Sequence, residues 1–107
     1  MNKPLGELGR FAEPSMYILV SLSGGPKHGY AIMTDVEAIS GAPMGPGTLY
    51  GALARLERRG LIEPLEPVDR RRPYRLTGFG ATTLQAQLDS LQGFVRTGLA
   101  RLGGDIR

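Results

Sequence analysis

One stretch constrains the fold of this chain more than any other: Pro46-Gly47-Thr48-Leu49-Tyr50-Gly51-Ala52-Leu53-Ala54-Arg55-Leu56-Glu57-Arg58-Arg59-Gly60-Leu61-Ile62. Proline at a first helical position costs nothing, because its missing N–H would be unpaired there anyway. Leu49, Leu53 and Leu56 recur at spacings of four and three, so one stripe of the helix is apolar and the other face is free. Gly60 supplies the stop. Leu61 to Leu65 then alternates weakly up to Pro67, as a short strand does. The basic segment Asp69-Arg70-Arg71-Arg72-Pro73-Tyr74-Arg75 follows at once. It predicts a hairpin with its tip between about Glu66 and Pro73 and a return strand at Tyr74-Arg75-Leu76.

The flanking segments complete the pattern. Pro14 opens a first, nearly all-apolar helix through Tyr17, Ile18, Leu19, Val20 and Leu22, stopped by Gly24-Gly25-Pro26. A second helix begins near His28 or Gly29, with Tyr30, Met33, Val36 and Ile32 or Ile39 expected inward, and ends at Ser40-Gly41-Ala42-Pro43. Thr77 is a cap for a last helix from about Phe79 to Leu102. Leu84, Leu88, Leu91, Val95, Gly98 and Leu102 alternate along it in fours and threes, as in a coiled-coil seam, and Phe94, Leu99 and Ile106 widen the stripe. The expected order is helix, helix, helix, strand, strand, long helix. The fold class is mainly α with a small β-hairpin: a winged helix-turn-helix plus a long C-terminal helix. Residues 1–12 read as an arm or short helix, 13–77 as the winged helix-turn-helix, and 78–107 as a dimerisation helix.

Charge sharpens the reading. The 107 residues carry a formal charge of +3, and seven of the thirteen Lys and Arg lie between Arg55 and Arg75. Arginine outnumbers lysine eleven to two, and its planar fork suits phosphates and guanine edges. With no cysteine, disulfides and thiolate metal sites are excluded. No apolar leader follows Met1, and the longest apolar run, Met16 to Val20, is far too short to span a bilayer. No membrane association is expected, and the default location is cytoplasmic. No nucleophile–base pairing is visible, so an enzyme is not expected.

The second and third helices form a helix-turn-helix candidate. With the leucines inward, Thr48, Gly51, Ala52 and Arg55 face outward for a DNA major groove, and the small residues let the helix sit deep. Tyr50 has an apolar body to pack and a hydroxyl to offer a phosphate. Arg58 and Arg59 stand in the last turn, where cations also favour the helix dipole. Arg70, Arg71 and Arg72 at the hairpin tip can follow the phosphate backbone or enter the minor groove. Lys27, in the turn before the second helix, joins these candidate DNA contacts. Tyr30 and Tyr74 read as packing residues. The single histidine, His28, reads as a helix start, because Asp35 and Glu37 are out of register with it for a metal site. No metal or other cofactor is expected. The last helix is longer than the small core needs. A homodimer joined through Leu84, Leu88, Leu91, Val95 and Leu102 would present two reading helices about one DNA turn apart, suited to a near-palindromic operator. A protein–protein interaction module that reuses the winged helix is the alternative.

Taken in order, several segments resemble the PadR family of bacterial transcriptional regulators over about Pro14 to Gly80. They are Tyr17-Ile18-Leu19-Val20-Ser21-Leu22, Gly25-Pro26-Lys27-His28-Gly29-Tyr30-Ala31-Ile32, Pro46-Gly47-Thr48-Leu49-Tyr50-Gly51-Ala52-Leu53, Arg55-Leu56-Glu57, Gly60-Leu61-Ile62 and Tyr74-Arg75-Leu76-Thr77. The length is similar to the short subgroup, with one C-terminal dimerisation helix. The resemblance implies a sequence-specific, usually repressing regulator. In some short members a small hydrophobic compound enters between the subunits, and Met16, Leu91, Phe94 and Val95 are the corresponding candidates here. The tryptophan clamp of some drug-binding members is absent, as this chain has no Trp. It departs from the family also at Gly45, where a capping serine is common, and in a wing without glycine.

Overall fold

A computed structural model of the chain describes residues 13–103. The expectations for the arm at 1–12 and for Ile106 lie outside the described residues. Helix α1 (Pro14–Ser23) opens on Pro14 and buries Tyr17, Ile18, Leu19 and Leu22. It is the central element, packed against the next two helices, the return strand of the wing and the last helix, which is why it is apolar on nearly every side.

A two-residue strand, β1 (Lys27–His28), comes next, where the sequence predicts a plain turn between helices. Two residues carry no alternation, and only the free edge of a distant strand draws them into a ladder. Helix α2 (Gly29–Ser40) buries Gly29, Ile32 and Val36 and closes at Gly41, whose φ is +78° and whose N–H donates to the Glu37 carbonyl at 2.8 Å. Tyr30, expected between helices, is 68% exposed. The buried stripe runs 29, 32, 36, so it shares Val36 with the 30, 33, 36 series but takes the preceding residue in the two turns before it, and Tyr30 points outward. Ile39 is also exposed, and Met33 packs only at the edge of the core.

Helix α3 (Pro46–Arg58) buries Leu49, Ala52, Leu53 and Leu56. Ala52, expected outward, is fully buried, because a position three after Leu49 and four before Leu56 lies on the inner stripe. Gly60, at φ +77°, ends the helix in a Schellman motif: its N–H donates to Glu57 O and that of Leu61 to Leu56 O, each at 3.0 Å, and Leu56 and Leu61 are both buried.

The wing is formed by β2 (Ile62–Pro64) and β3 (Pro73–Leu76). Ile62 pairs with Leu76, Glu63 with Arg75 and Pro64 with Tyr74, while β1 adds to the other edge of β3, giving the order β1-β3-β2. At the tip, Val68 and Arg71 exchange hydrogen bonds of 2.8 and 2.9 Å. Asp69 and Arg70 between them both have positive φ, 52° and 66°, as a two-residue hairpin turn with the right-handed strand twist requires.

Helix α4 (Gly78–Gly103) starts on Thr77. The Thr77 hydroxyl accepts from Gly80 N–H at 2.9 Å and donates to Gly60 O at 2.6 Å, tying the end of α3 to the start of α4. Only Gly80 and Leu84 of α4 are buried. At about 1.5 Å per residue, its 26 residues span about 39 Å, well beyond the core. The radius of gyration is accordingly 15.9 Å, against roughly 13 Å for a compact chain of this size.

Candidate nucleic-acid interface

Four features of the sequence bring the basic residues into place. Pro46 starts α3 with Gly45 in extended backbone and no side-chain cap. The leucine stripe then fixes which way α3 faces, leaving Thr48, Tyr50, Gly51, Arg55 and Arg58 exposed. The Schellman stop sends the chain into β2. The tight turn then places Arg70, Arg71 and Arg72 at the wing tip, all exposed.

Wing and helices meet around a recess of about 380 Å³ lined by His28, Gly29, Tyr30, Tyr50, Tyr74 and the three wing arginines. The Tyr50 ring lies across Gly29: a Cβ there would stand 2.9 Å from its Cζ, so glycine is what admits the ring. Burial, and after it the Glu57 carboxylate, hold the Tyr74 phenol above its ordinary pKa, so it remains a protonated donor through the neutral range. Arg72 donates to Leu65 O at 2.8 Å, which braces the wing. Arg71 Nη1 lies 3.3 Å from His28 Nε2. Arg75 is engaged by Glu63 at 2.7 Å.

Two candidate contacts go elsewhere. The Lys27 ammonium turns inward to Ser21 O and Gly25 O at the end of α1 and lies 3.8 Å from Asp35, so it serves as a helix-end cap and is not displayed on the recess. Arg59, one residue past α3, lines a groove of about 350 Å³ between α1 and α4, with Met16, Leu56, Leu61, Gln87 and Leu91 among its neighbours. A step of about 100° per residue separates it from Arg58. His28 and Tyr30 line the recess, although the sequence reading assigns neither to DNA. The signal is the placement of Lys27-His28-Gly29-Tyr30 directly at a helix start, where side chains project past the helix end.

On α4, Leu84 belongs to the chain's own core. Leu88 is 40% exposed, and Val95, Leu99, Leu102 and Phe94 rise from 52% to 76%, while Leu91 is half-buried at the α1–α4 groove. Among the described residues, no helix is long and apolar enough to cross a membrane, and no three His, Asp or Glu side chains gather as a metal site.

Residues 18–86 match the transcriptional regulator PadR-like family. The chain belongs to this family. Its fold is close to those of several solved structures. One is a PadR family transcription regulator from Clostridium difficile R20291, with TM-score 0.72 and 25% identity, covering 82% of this chain and 95% of that one. The smu.1704 protein of Streptococcus mutans UA159 has TM-score 0.70 and 29% identity, covering 87% and 89%. RosR of h. salinarum has TM-score 0.69 and 28% identity, covering 90% and 94%. A curated relative, an uncharacterized 37.1 kDa protein in transposon TN4556 of Streptomyces fradiae, is 43% identical over 97 residues. The match takes in 91% of this PadR-like chain but only 26% of that protein, so the chain spans about a quarter of the relative's length.

The geometry makes one substitution informative. A Cβ on Gly51 would meet only Arg55 Nη1, at 3.8 Å. Gly51→Ala is therefore expected to stabilise the domain by about 1 kcal/mol through helix propensity, raising Tm by roughly 4–8 °C; the groove-reading role proposed below for α3 adds the expectation of weaker duplex binding. Thermal melts and anisotropy titrations on the same sample check both signs.

Proposed function

We propose that this PadR-like chain is a homodimeric repressor that binds a near-palindromic operator. What carries the reading is the convergence, on one face, of the small outer surface of α3 and the three-arginine wing, around a recess without a carboxylate in its lining. In this arrangement α3 enters the major groove through Thr48, Gly51 and Arg55, Tyr50 and Arg58 approach the flanking backbone, and the wing follows the adjacent phosphates or minor groove. Cationic side chains at both places make binding strongly salt-dependent. Occupying a promoter in this way represses by exclusion.

The second half of the reading rests on α4. Phe94, Val95, Leu99 and Leu102 are 52–76% exposed, and a side chain of this kind is worth about 1.5–3 kcal/mol when fully buried. Pairing of two copies through this helix covers them and sets the separation of the two α3 helices. A small hydrophobic effector fits the edge of the same interface: Met16 and Leu91 line the α1–α4 groove, and Phe94 and Val95 follow along the helix toward the second copy.

Selection of duplexes bound by the protein, followed by footprinting, tests the DNA assignment. A protected two-fold site whose affinity falls steeply with salt supports it, and equal, salt-insensitive binding to all duplexes rejects it. For the dimer, Phe94→Asp with Leu99→Asp is expected to give a folded monomer by sedimentation, because neither side chain serves the core. Operator affinity should drop by roughly 100-fold or more once the half-sites are no longer linked. A dimer of wild-type stability would place the interface elsewhere.

A further inference from the structure

We propose that His28 and Arg71 together seat one backbone phosphate of the bound duplex, making His28 a DNA-contact residue that joins the helix-turn-helix to the wing. The inference rests on the DNA-binding reading above. It starts from two hydrogen bonds that one imidazole does not make at the same time. His28 Nδ1 accepts from the Ala31 N–H at 3.4 Å and so caps α2. A neutral imidazole that accepts at Nδ1 carries its proton on Nε2. That Nε2–H faces Arg71 Nη1 at 3.3 Å, and a guanidinium has donors only. Two donors therefore meet with no acceptor between them. The other tautomer accepts from Arg71 but turns Nδ1–H against the Ala31 N–H and uncaps the helix.

An anionic oxygen resolves the conflict. Placed beside both donors, it accepts from Nε2–H and from the guanidinium, and the cap at Nδ1 is kept. The surroundings suit an anion. The pair lies on the recess whose lining is aromatic hydroxyls and arginines. No Asp or Glu lines that recess; Asp35, 3.8 Å from the Lys27 ammonium, and Asp69 of the wing turn each share a separate neighbouring hollow with His28 and Arg71. His28 also sits in β1 opposite Pro73 of β3, so a phosphate held here links α2 to the wing through one ring. Because His28 is neutral in this role, it adds a hydrogen bond without displacing a counterion.

His28→Asn separates the DNA contact from the cap. Asparagine is among the best N-cap residues, and its short side chain does not extend to the Arg71 side. We expect the melting temperature to be kept, operator affinity to fall roughly tenfold, and the salt slope to stay unchanged. Arg71→Ala should lower affinity and also flatten the slope by about one unit for each phosphate it no longer neutralises. The double variant should bind no worse than Arg71→Ala, because the two residues share a ligand. A methylphosphonate at the seated position of each half-site should weaken wild type and leave the double variant unaffected. Wild-type affinity in His28→Asn, or effects of the two substitutions that simply multiply, overturns the phosphate seat while leaving DNA binding in place. A wild-type protein with no salt-dependent duplex binding overturns both. An imidazole ¹⁵N shift produced by inorganic phosphate alone, and not by duplex, assigns the seat to a free anion and overturns the DNA contact.

Discussion

Changing Arg70, Arg71 and Arg72 together to alanine should lower affinity for duplex DNA by roughly 100- to 1,000-fold near physiological salt. All three are exposed at the wing tip, and each phosphate contact contributes a slope of about 0.9 in log affinity against log salt. In the proposed dimer the substitution removes them from both wings and with them a large part of that dependence. The fold should survive. The turn already holds Arg70 at φ +66°, and alanine meets the same left-handed penalty there. The bond from Arg72 to Leu65 O, which the substitution deletes, is exposed and of small net value. Anisotropy titrations over a range of salt, with a melt as control, check the expectation. A slope equal to that of wild type would move the phosphate contacts off the wing.

The largest effect on stability is expected at Gly80. Its N–H is already committed to the Thr77 hydroxyl, and a Cβ would stand 2.9 Å from the Leu61 carbonyl carbon and closer still to its oxygen. That oxygen accepts from Thr77 N–H at 3.1 Å, and Leu61 is locked into the Schellman turn, so the backbone has nowhere to go. Gly80→Ala should gain up to about 1 kcal/mol of helix propensity and still be destabilising by about 1–3 kcal/mol from overpacking. For a domain of this size each kcal/mol is roughly 4–8 °C in Tm. Gly51→Ala provides the contrast, with the same chemistry in open space and the opposite sign. An unchanged or raised melting point for Gly80→Ala would mean that α4 does not rest on the Leu61 carbonyl.

The helices are legible in the sequence because each has local punctuation. Pro14 and Pro46 mark starts, Gly41 and Gly60 mark left-handed stops, and Thr77 caps the last helix, all through backbone constraints that act within a few residues. The leucine stripe of α3 is equally plain, and it determines which face of that helix is free. Sequence and structure part where the answer depends on a partner far along the chain. Strand β1 exists only because β3 offers an edge. Periodicity puts Tyr30 on the wrong face because a short stripe tolerates a shift of one position until the neighbouring elements select it, and the leucines of α3 alone leave out Ala52, which lies on the same stripe.

The interface divides along the same line. Clustering of Arg70–Arg72 after the α3 pattern is visible in the sequence, because like charges at a turn need no tertiary information. The inward turn of Lys27, the removal of Arg59 to the α1–α4 groove and the entry of His28 into the recess are not. By itself the sequence determined the order of the helices and the hairpin, the punctuation of the helices and the basic character of the wing, since these follow from dihedral preference, periodicity and charge over short distances. Which cations turn inward, which leucine of α4 joins the core, and that His28 meets Arg71 were decided only by packing, where segments far apart in the chain compete for the same carbonyls, cavities and edges.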